Sequence, residues 1–161
     1  MPVVSNTTPL NYLVLIRQAE VLRELYGYVV IPQAVLDEMQ HSETPAAVRQ
    51  WIANRPDWLT VEQVSTVHEL ALDELGAGER EAIVLAEKLG ASAIILDERV
   101  ARQEAGRRGL LVTGTLGVLD KAAERGLLDL AEAFAHLQQT TFHASQELYQ
   151  RFLDHDAGRK R

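Results

Sequence analysis

The chain has 161 residues and no cysteine, 47% of its residues are hydrophobic, and its formal net charge is −7. This length predicts one domain, 1–161. The lack of cysteine excludes disulfides and thiolate metal sites, and the acidic balance argues against a protein that coats duplex DNA. No apolar run reaches 18 residues, so no membrane span is predicted. The apolar stretch 8–16 has no basic leader and is interpreted as a core helix, which fits a cytoplasmic location.

The first half of the chain alternates between short apolar runs, typical of strands, and segments with helical spacing. Residues 2–6 predict a strand, after which Thr7 or Thr8 caps a helix with Pro9 in its first turn. The later elements predicted here are a helix over 18–26, a strand over 28–31, a helix from Pro32, a helix over 44–54, a strand over 58–61 and a short helix over 67–75.

The second half continues the alternation. Glu79 follows a Gly-Ala-Gly turn and opens a helix that ends at Gly90, and residues 93–96 form a fully apolar strand followed by Asp97. The last predicted elements are a helix over 98–108, a strand over 110–112, a helix ending at Gly126, helices over 129–138 and 143–154, and a frayed tail over 158–161. Strands that alternate with helices predict a mostly parallel sheet covered on both faces.

Four polar or acidic residues lie beside strand ends or helix starts: Asn6, Glu38, Glu79 and Asp97. Parallel sheets bind ligands at the carboxyl ends of their strands, so these residues would form an oxygen-rich pocket suited to Mg²⁺ or Mn²⁺. Such ions support phosphodiester hydrolysis. The three acidic residues also have purely structural explanations. Asp97 can cap the 98–108 helix, Glu79 favours a helix N-terminus, and glutamates such as Glu38 are common on surface helices.

Other chemistries fit the sequence less well. It contains no phosphate-binding loop, no dinucleotide fingerprint and no His-Glu-x-x-His pair, and its five histidines are scattered. Ser5 and Ser145 have no evident triad context. A phosphoacceptor receiver domain is a further alternative, but the first strand is not followed by the acidic cluster that such a domain uses.

Four segments together resemble the motifs of the PIN-domain family, in particular the compact prokaryotic members that act as toxins of type II toxin–antitoxin pairs. Asn6 stands at an aspartate position after the first strand, and Glu38 lies in the helix after the second. Glu79, favoured over Glu81, opens a later helix, and Asp97 follows the next strand. Gly-x-Gly-Glu together with the segment 112–119, Val-Thr-Gly-Thr-Leu-Gly-Val-Leu, resembles an uncharacterised subgroup of that family.

The resemblance covers about residues 2–127 and leaves the C-terminal helices, about 129–154, outside it. It implies a three-layer α/β/α sandwich with a mostly parallel sheet, and an endoribonuclease that depends on Mg²⁺ or Mn²⁺. A homodimer and an antitoxin partner are also implied. The implied catalytic residues are Glu38, Glu79 and Asp97. The implied metal ligands are Asn6, Glu38, Glu79, Asp97 and Glu98.

Asn6 departs from the family pattern. An asparagine keeps a carbonyl ligand but carries no charge and accepts no proton, so weaker metal binding is expected. The alternative is therefore a catalytically weakened PIN fold that binds RNA or a protein. Arg99 and Arg102, one helical turn apart, are predicted to bind RNA, unless they form a solvated helix face. Thr7 or Thr115 could orient a water or a phosphate, although helix capping is the favoured role for each.

Overall fold

The computed structural model describes residues 2–65 and 70–160. At its centre lies a sheet of five strands, all of which pair in parallel. The strands are β1 Val3–Ser5, β2 Val29–Pro32, β3 Leu59–Glu62, β4 Ala93–Ile95 and β5 Val112–Thr113. Their order across the sheet is β3-β2-β1-β4-β5, so β1 is central and β3 and β5 are the edges. The predicted parallel sheet is confirmed.

Helices connect the strands and cover both faces of the sheet. They are α1 Thr7–Leu15, α2 Val21–Tyr26, α3 Gln33–Met39, α4 Ala46–Ala53, α5 Ala77–Leu89, α6 Arg99–Arg107, α7 Thr115–Glu124, α8 Leu130–Gln138 and α9 Gln146–Arg159, with a 3-10 turn at Leu70–Leu72. Within residues 2–65 and 70–160, no helix is both long enough and apolar enough to cross a membrane.

Two hydrophobic cores lie on opposite faces of the sheet, because successive strand residues point to opposite sides. Val3 of β1 and Ile95 of β4 pack into one core with residues from helices such as α1, α7, α8 and α9. Val4 and Ile94, their neighbours along the same strands, pack into the other core with α5 and α6. The three-layer α/β/α arrangement predicted from the sequence is confirmed.

At two helix starts the N-cap residue differs from the one suggested by the sequence, and both differences affect the site. Helix α1 begins at Thr7, so Asn6 rather than Thr7 or Thr8 is its N-cap residue. Helix α6 begins at Arg99 with Glu98 as its N-cap residue, and Asp97 does not cap it. The Asp97 side chain bonds instead to the start of α7, where Thr115 offers both a backbone N–H and a hydroxyl.

Other boundaries were also wrong. The last strand is Val112–Thr113 rather than 110–112. Only the turn Leu70–Leu72 represents the helix predicted over 67–75, and residues 66–69 lie outside the described residues. The final helix is shifted from 143–154 to Gln146–Arg159, because the Ser145 hydroxyl accepts a hydrogen bond from Leu148 N (3.1 Å) and so begins it. It continues into the supposedly frayed tail.

Candidate functional site

The chain reverses its direction across the sheet between β1 and β4. From β1 it proceeds to β2 on one side, and from β4 it proceeds to β5 on the other side. Asn6, which follows β1, donates its backbone N–H to Ile95 O of β4 (3.0 Å). Asn6 and Asp97 therefore follow two neighbouring strands at the topological switch point, where open α/β sheets form their ligand crevice.

Asn6 and Glu38 converge on Gly78, which lies in the first turn of α5. The Asn6 residue is only 4% exposed, its side chain does not cap α1, and its Oδ1 atom is buried without a hydrogen-bond partner among the described residues. A Cβ atom at Gly78 would lie 3.1 Å from Asn6 Oδ1 and 3.0 Å from Glu38 Cδ. A glycine is therefore required for these two oxygen-bearing side chains to approach α5 together.

Asp97 and Arg102 converge in a similar way on Gly114, the N-cap residue of α7. Asp97 Oδ1 accepts a hydrogen bond from Thr115 N (2.8 Å), and Asp97 Oδ2 accepts one from Thr115 Oγ1 (2.6 Å). Arg102 Nη1 donates to Leu96 O (2.8 Å). A Cβ atom at Gly114 would lie 2.8 Å from Asp97 Oδ1 and 2.7 Å from Arg102 Nη1, so glycine also keeps this space open.

The two glutamates at the start of α5 accept hydrogen bonds at the N-termini of two different helices. Glu79 Oε1 accepts a hydrogen bond from Gly76 N (3.1 Å) and so closes the first turn of its own helix. Glu81 Oε1 accepts a hydrogen bond from Ala34 N (3.0 Å), at the start of α3. Glu81 thus stabilises the helix that carries Glu38, whereas Glu79 lies at the rim of the crevice.

Burial raises the pKa of the acidic side chains at the site, and their mutual repulsion adds to this effect. Glu38 is exposed as a residue, but its carboxylate lies against Gly78 and is partly desolvated, and this desolvation is the largest cause of its raised pKa. The nearby Thr7 hydroxyl and Gly78 N–H act against this rise in pKa, whereas the charges of Glu79 and Glu81 add to it. The protonated form of Glu38 is therefore favoured relative to a carboxylate in water.

Burial also raises the pKa of Glu79 and of Asp97, and in both cases the charge of Glu98 adds to the effect. The Thr115 hydrogen bonds and the Arg102 charge act in the opposite direction on Asp97 without overcoming its burial. Repulsion thus connects Glu38 to Glu79, Glu79 to Glu98 and Glu98 to Asp97. A line of mutually repelling carboxylates of this kind would be relieved by a bound cation.

The five predicted metal ligands do not form a ready-made set. Within the described parts of the chain, no three Asp, Glu or His side chains are arranged to hold a metal ion. The structure brings Asn6 and Glu38 together, but Glu79 is turned towards Gly76 and Asp97 towards Thr115. The residues nevertheless fit a hard cation, because Asn6 Oδ1 is a buried oxygen without a donor and the Glu38 carboxylate is beside it.

The two predicted RNA-binding arginines have different environments. Arg102 is half-buried and is held beside Asp97 by its bond to Leu96 O. Arg99 is exposed at the first position of α6, and the described residues offer it no partner. Arg102 alone therefore lies within the candidate site, whereas Arg99 belongs to the solvated start of the same helix.

Two pockets flank the site and include residues that the sequence did not indicate. One, of about 530 Å³, lies beside Glu38 and includes His41, whose Nδ1 accepts a hydrogen bond from Glu43 N. The other, of about 450 Å³, lies beside Asp97 and includes residues 142–144 and part of α9. Scattered histidines and aromatic residues in C-terminal segments carry no recognisable spacing, so only the tertiary structure reveals these pockets.

The family model DUF3368, described as a PIN domain, matches residues 2–157. The chain therefore belongs to the PIN-domain family, whose members are generally nucleases. The match includes α8 and α9, which the motif resemblance had left outside.

A solved structure with a similar fold is a PilT N-terminus domain protein from the hyperthermophilic archaeon Sulfolobus solfataricus P2. It shares 17% identity with a TM-score of 0.52, over 90% of this chain and 100% of that chain. At this identity the similarity concerns the fold alone. No curated protein matches the sequence.

Proposed function

We propose that the protein is an endoribonuclease that hydrolyses RNA phosphodiester bonds with Mg²⁺ or Mn²⁺ held beside Asn6 and Glu38. The observation that carries this proposal is the buried Asn6 Oδ1 atom, which has no hydrogen-bond donor among the described residues and lies near the Glu38 carboxylate at Gly78. A buried acceptor without a partner is costly, and a hard cation satisfies both oxygens.

Three further carboxylates would complete the cation's surroundings. Asp97 lies across the switch point, and Glu79 and Glu98 are close enough to repel it or each other. Glu79 would reach the ion after leaving its hydrogen bond to Gly76 N. When bound, the cation makes a water nucleophilic and stabilises charge on the leaving oxygen.

The chain's own residues supply the remaining functions. A carboxylate oxygen of Glu38 that is not bound to the cation would accept a proton from the attacking water. Thr115 fixes the orientation of Asp97 through two hydrogen bonds. Arg102 uses one guanidinium N–H for Leu96 O and has others to contact a phosphate oxygen.

We also propose that the protein is the toxin of a type II toxin–antitoxin pair, active in the cytoplasm as a homodimer. The support for this role is the resemblance of its motifs to the compact prokaryotic PIN proteins. The corresponding test is growth arrest on expression of the wild-type protein, relieved by co-expression of any small open reading frame that lies just upstream of its gene. An Asp97→Asn variant that arrests growth equally would contradict the nuclease basis of the arrest.

The second candidate function is a weakened PIN fold that acts by binding RNA or a protein. The observation in its favour is Asn6 itself, because an uncharged residue replaces the expected aspartate and lowers the charge available to a cation. In this case Arg102 would still contact RNA, but no bond would be cut.

Cleavage of a mixed RNA pool separates the two functions. The wild-type protein, Asp97→Asn and Asn6→Asp are compared with Mg²⁺, with Mn²⁺ and with EDTA. The nuclease proposal expects metal-dependent cutting that Asp97→Asn abolishes and Asn6→Asp increases. Cutting by Asn6→Asp alone would indicate a fold whose site has been switched off. If none of the three folded proteins cuts, the binding function is the better account.

A further inference from the structure

The pocket of about 450 Å³ is continuous with the candidate site, because Asp97 and Arg102 both line it. Its lining also includes an apolar wall, which consists of Phe142 together with Leu148 and Phe152 of α9. The volume lies within the range of about 300–1,000 Å³ that is usual for small-ligand pockets. A charged end and an aromatic wall therefore share one cavity beside the predicted position of the scissile phosphate.

The aromatic wall is anchored in the hydrophobic core. Phe142 packs edge-to-face on Tyr12 with ring centroids 5.1 Å apart, and Phe152 packs edge-to-face on Phe134 at 6.2 Å. Each ring is thus held in a defined orientation by another ring. The wall is consequently a fixed surface on which a planar group can stack.

The pocket is also lined by β5, the strand at one edge of the sheet. Ile94 N and Leu96 N bond to Leu111 O and Thr113 O, so the intervening Val112 directs its N–H and C=O away from β4. Val112 also lines the pocket. Val112 therefore offers one backbone donor and one backbone acceptor at the sheet edge that borders the cavity.

We propose that this pocket binds an unpaired nucleobase of the RNA strand, next to the phosphate at the candidate site; the inference rests on the proposed nuclease function. A base stacks on aromatic rings and presents donors and acceptors at its edge, whereas its phosphate is matched by the Arg102 charge. An apolar side chain of a protein partner would leave Arg102 and the Val112 backbone groups unused. These polar groups favour a nucleotide as the occupant.

Nuclear magnetic resonance of the full-length, ¹⁵N-labelled protein in EDTA tests the proposal. The amide signals of Thr113, Gly114, Gly117 and His143, which line the pocket, are followed during titration with each 5′-nucleoside monophosphate and with ribose 5-phosphate. We expect at least one nucleotide to move these signals with an affinity about tenfold higher than that of ribose 5-phosphate, because only the nucleotide can stack.

Two variants at equally exposed leucines provide the matched comparison. Leu148 in the pocket wall is 36% exposed, and Leu127 outside it is 38% exposed. Leu148→Glu should weaken nucleotide binding about tenfold by removing the apolar wall and repelling the phosphate, whereas Leu127→Glu should leave it unchanged. Both variants are checked for native thermal midpoints, and Leu148→Ala replaces Leu148→Glu if the latter does not fold.

Three results would overturn the proposal: equal affinities for ribose 5-phosphate and the nucleotides, equal effects of the two variants, or signals moved by N-acetyl-leucine amide but by no nucleotide. The last result would instead indicate a protein partner. The binding measurement contains no metal and requires no cleavage. A protein that binds nucleotides but cuts no RNA refutes only the nuclease function, and one that cuts RNA but binds no base refutes only the pocket.

Discussion

Both carboxylate oxygens of Asp97 accept hydrogen bonds from Thr115, one from the backbone N–H and one from the hydroxyl. Thr115 is fully buried, and it begins α7. Thr115 thus joins the Asp97 carboxylate, which follows β4, to the start of α7. The bond positions Asp97 in the crevice and at the same time satisfies an amide at the N-terminus of α7.

Thr115→Ala should therefore reduce both stability and activity. The variant loses the hydroxyl donor to a half-buried carboxylate, and we expect a cost of about 1.5–3 kcal/mol in the free energy of unfolding, measured by urea denaturation. Thr115→Ser keeps the hydroxyl and is the matched control, for which we expect a smaller loss of stability and activity. A Thr115→Ala protein as stable and as active as Thr115→Ser would show that the side-chain bond to Asp97 has no function.

Gly78→Ala should abolish cation binding without unfolding the protein. The added methyl group would overlap the Glu38 carboxylate and crowd Asn6 Oδ1, so both side chains would have to move. Gly76→Ala is the control, since its methyl group would meet only Glu79 Oε1, at an ordinary 3.6 Å. Stabilisation of the thermal midpoint by Mn²⁺ is the measurement, and an equal Mn²⁺ response from the two variants would contradict the site.

The metal-free protein should become more stable at neutral pH when Glu38 is replaced by glutamine. The folded-state pKa of Glu38 lies above its ordinary value of 4.5. The favourable contribution of protonated Glu38 to the free energy of unfolding is therefore complete below pH 4.5. It is lost as the pH rises through the folded-state pKa. In EDTA, Glu38→Gln should have a higher thermal midpoint than the wild type at about pH 7 but not at about pH 4.

Glu43→Gln is the control for this comparison, because Glu43 is an exposed carboxylate that follows α3 and lines the same pocket as Glu38. Its thermal midpoint should follow that of the wild type at both pH values. A Glu38→Gln protein that is less stable than the wild type at neutral pH would show that the charged carboxylate stabilises the metal-free fold. With saturating Mn²⁺ the wild type should have a higher thermal midpoint than Glu38→Gln, since the cation favours the charged form of Glu38.

Arg159 connects α9 to the rest of the molecule. It donates hydrogen bonds to Asp120 of α7 (2.9 Å) and to Asp156 (2.8 Å), which is 5% exposed. We expect Arg159→Gln to cost about 1–3 kcal/mol in unfolding free energy and to speed amide hydrogen exchange in α9. Arg151→Gln, in the exposed part of the same helix, should change neither the unfolding free energy nor the exchange rate. Equal effects of the two variants would contradict a role of Arg159 in holding α9 to α7.

Most of the fold could be predicted from local patterns. Short apolar runs such as 93–96 and the glycines that end helices mark the elements, and their alternation implies the parallel sheet. The motif positions also placed Asn6 and Asp97 correctly after neighbouring strands. These features depend on the chain nearby and on the general rules of parallel sheets, so a single sequence is sufficient to predict them.

The side-chain partners at the site could not be predicted in this way. Capping of the helix that follows was one explanation for Asp97, but its partner is Thr115, 18 residues later, because α7 begins beside the end of β4. Glu81 likewise bonds to Ala34, 47 residues away. Such pairings depend on how helices meet across the crevice, and spacing along the chain contains no information about them.

The affinity for Mn²⁺, measured by titration calorimetry, tests the central claim that Asn6 and Glu38 hold a cation at the switch point. We expect weak binding by the wild type, about tenfold tighter binding by Asn6→Asp, because affinity follows ligand charge, and no binding by Glu38→Gln. Glu43→Gln should match the wild type. Equal affinities for the wild type, Glu38→Gln and Asn6→Asp would contradict the account.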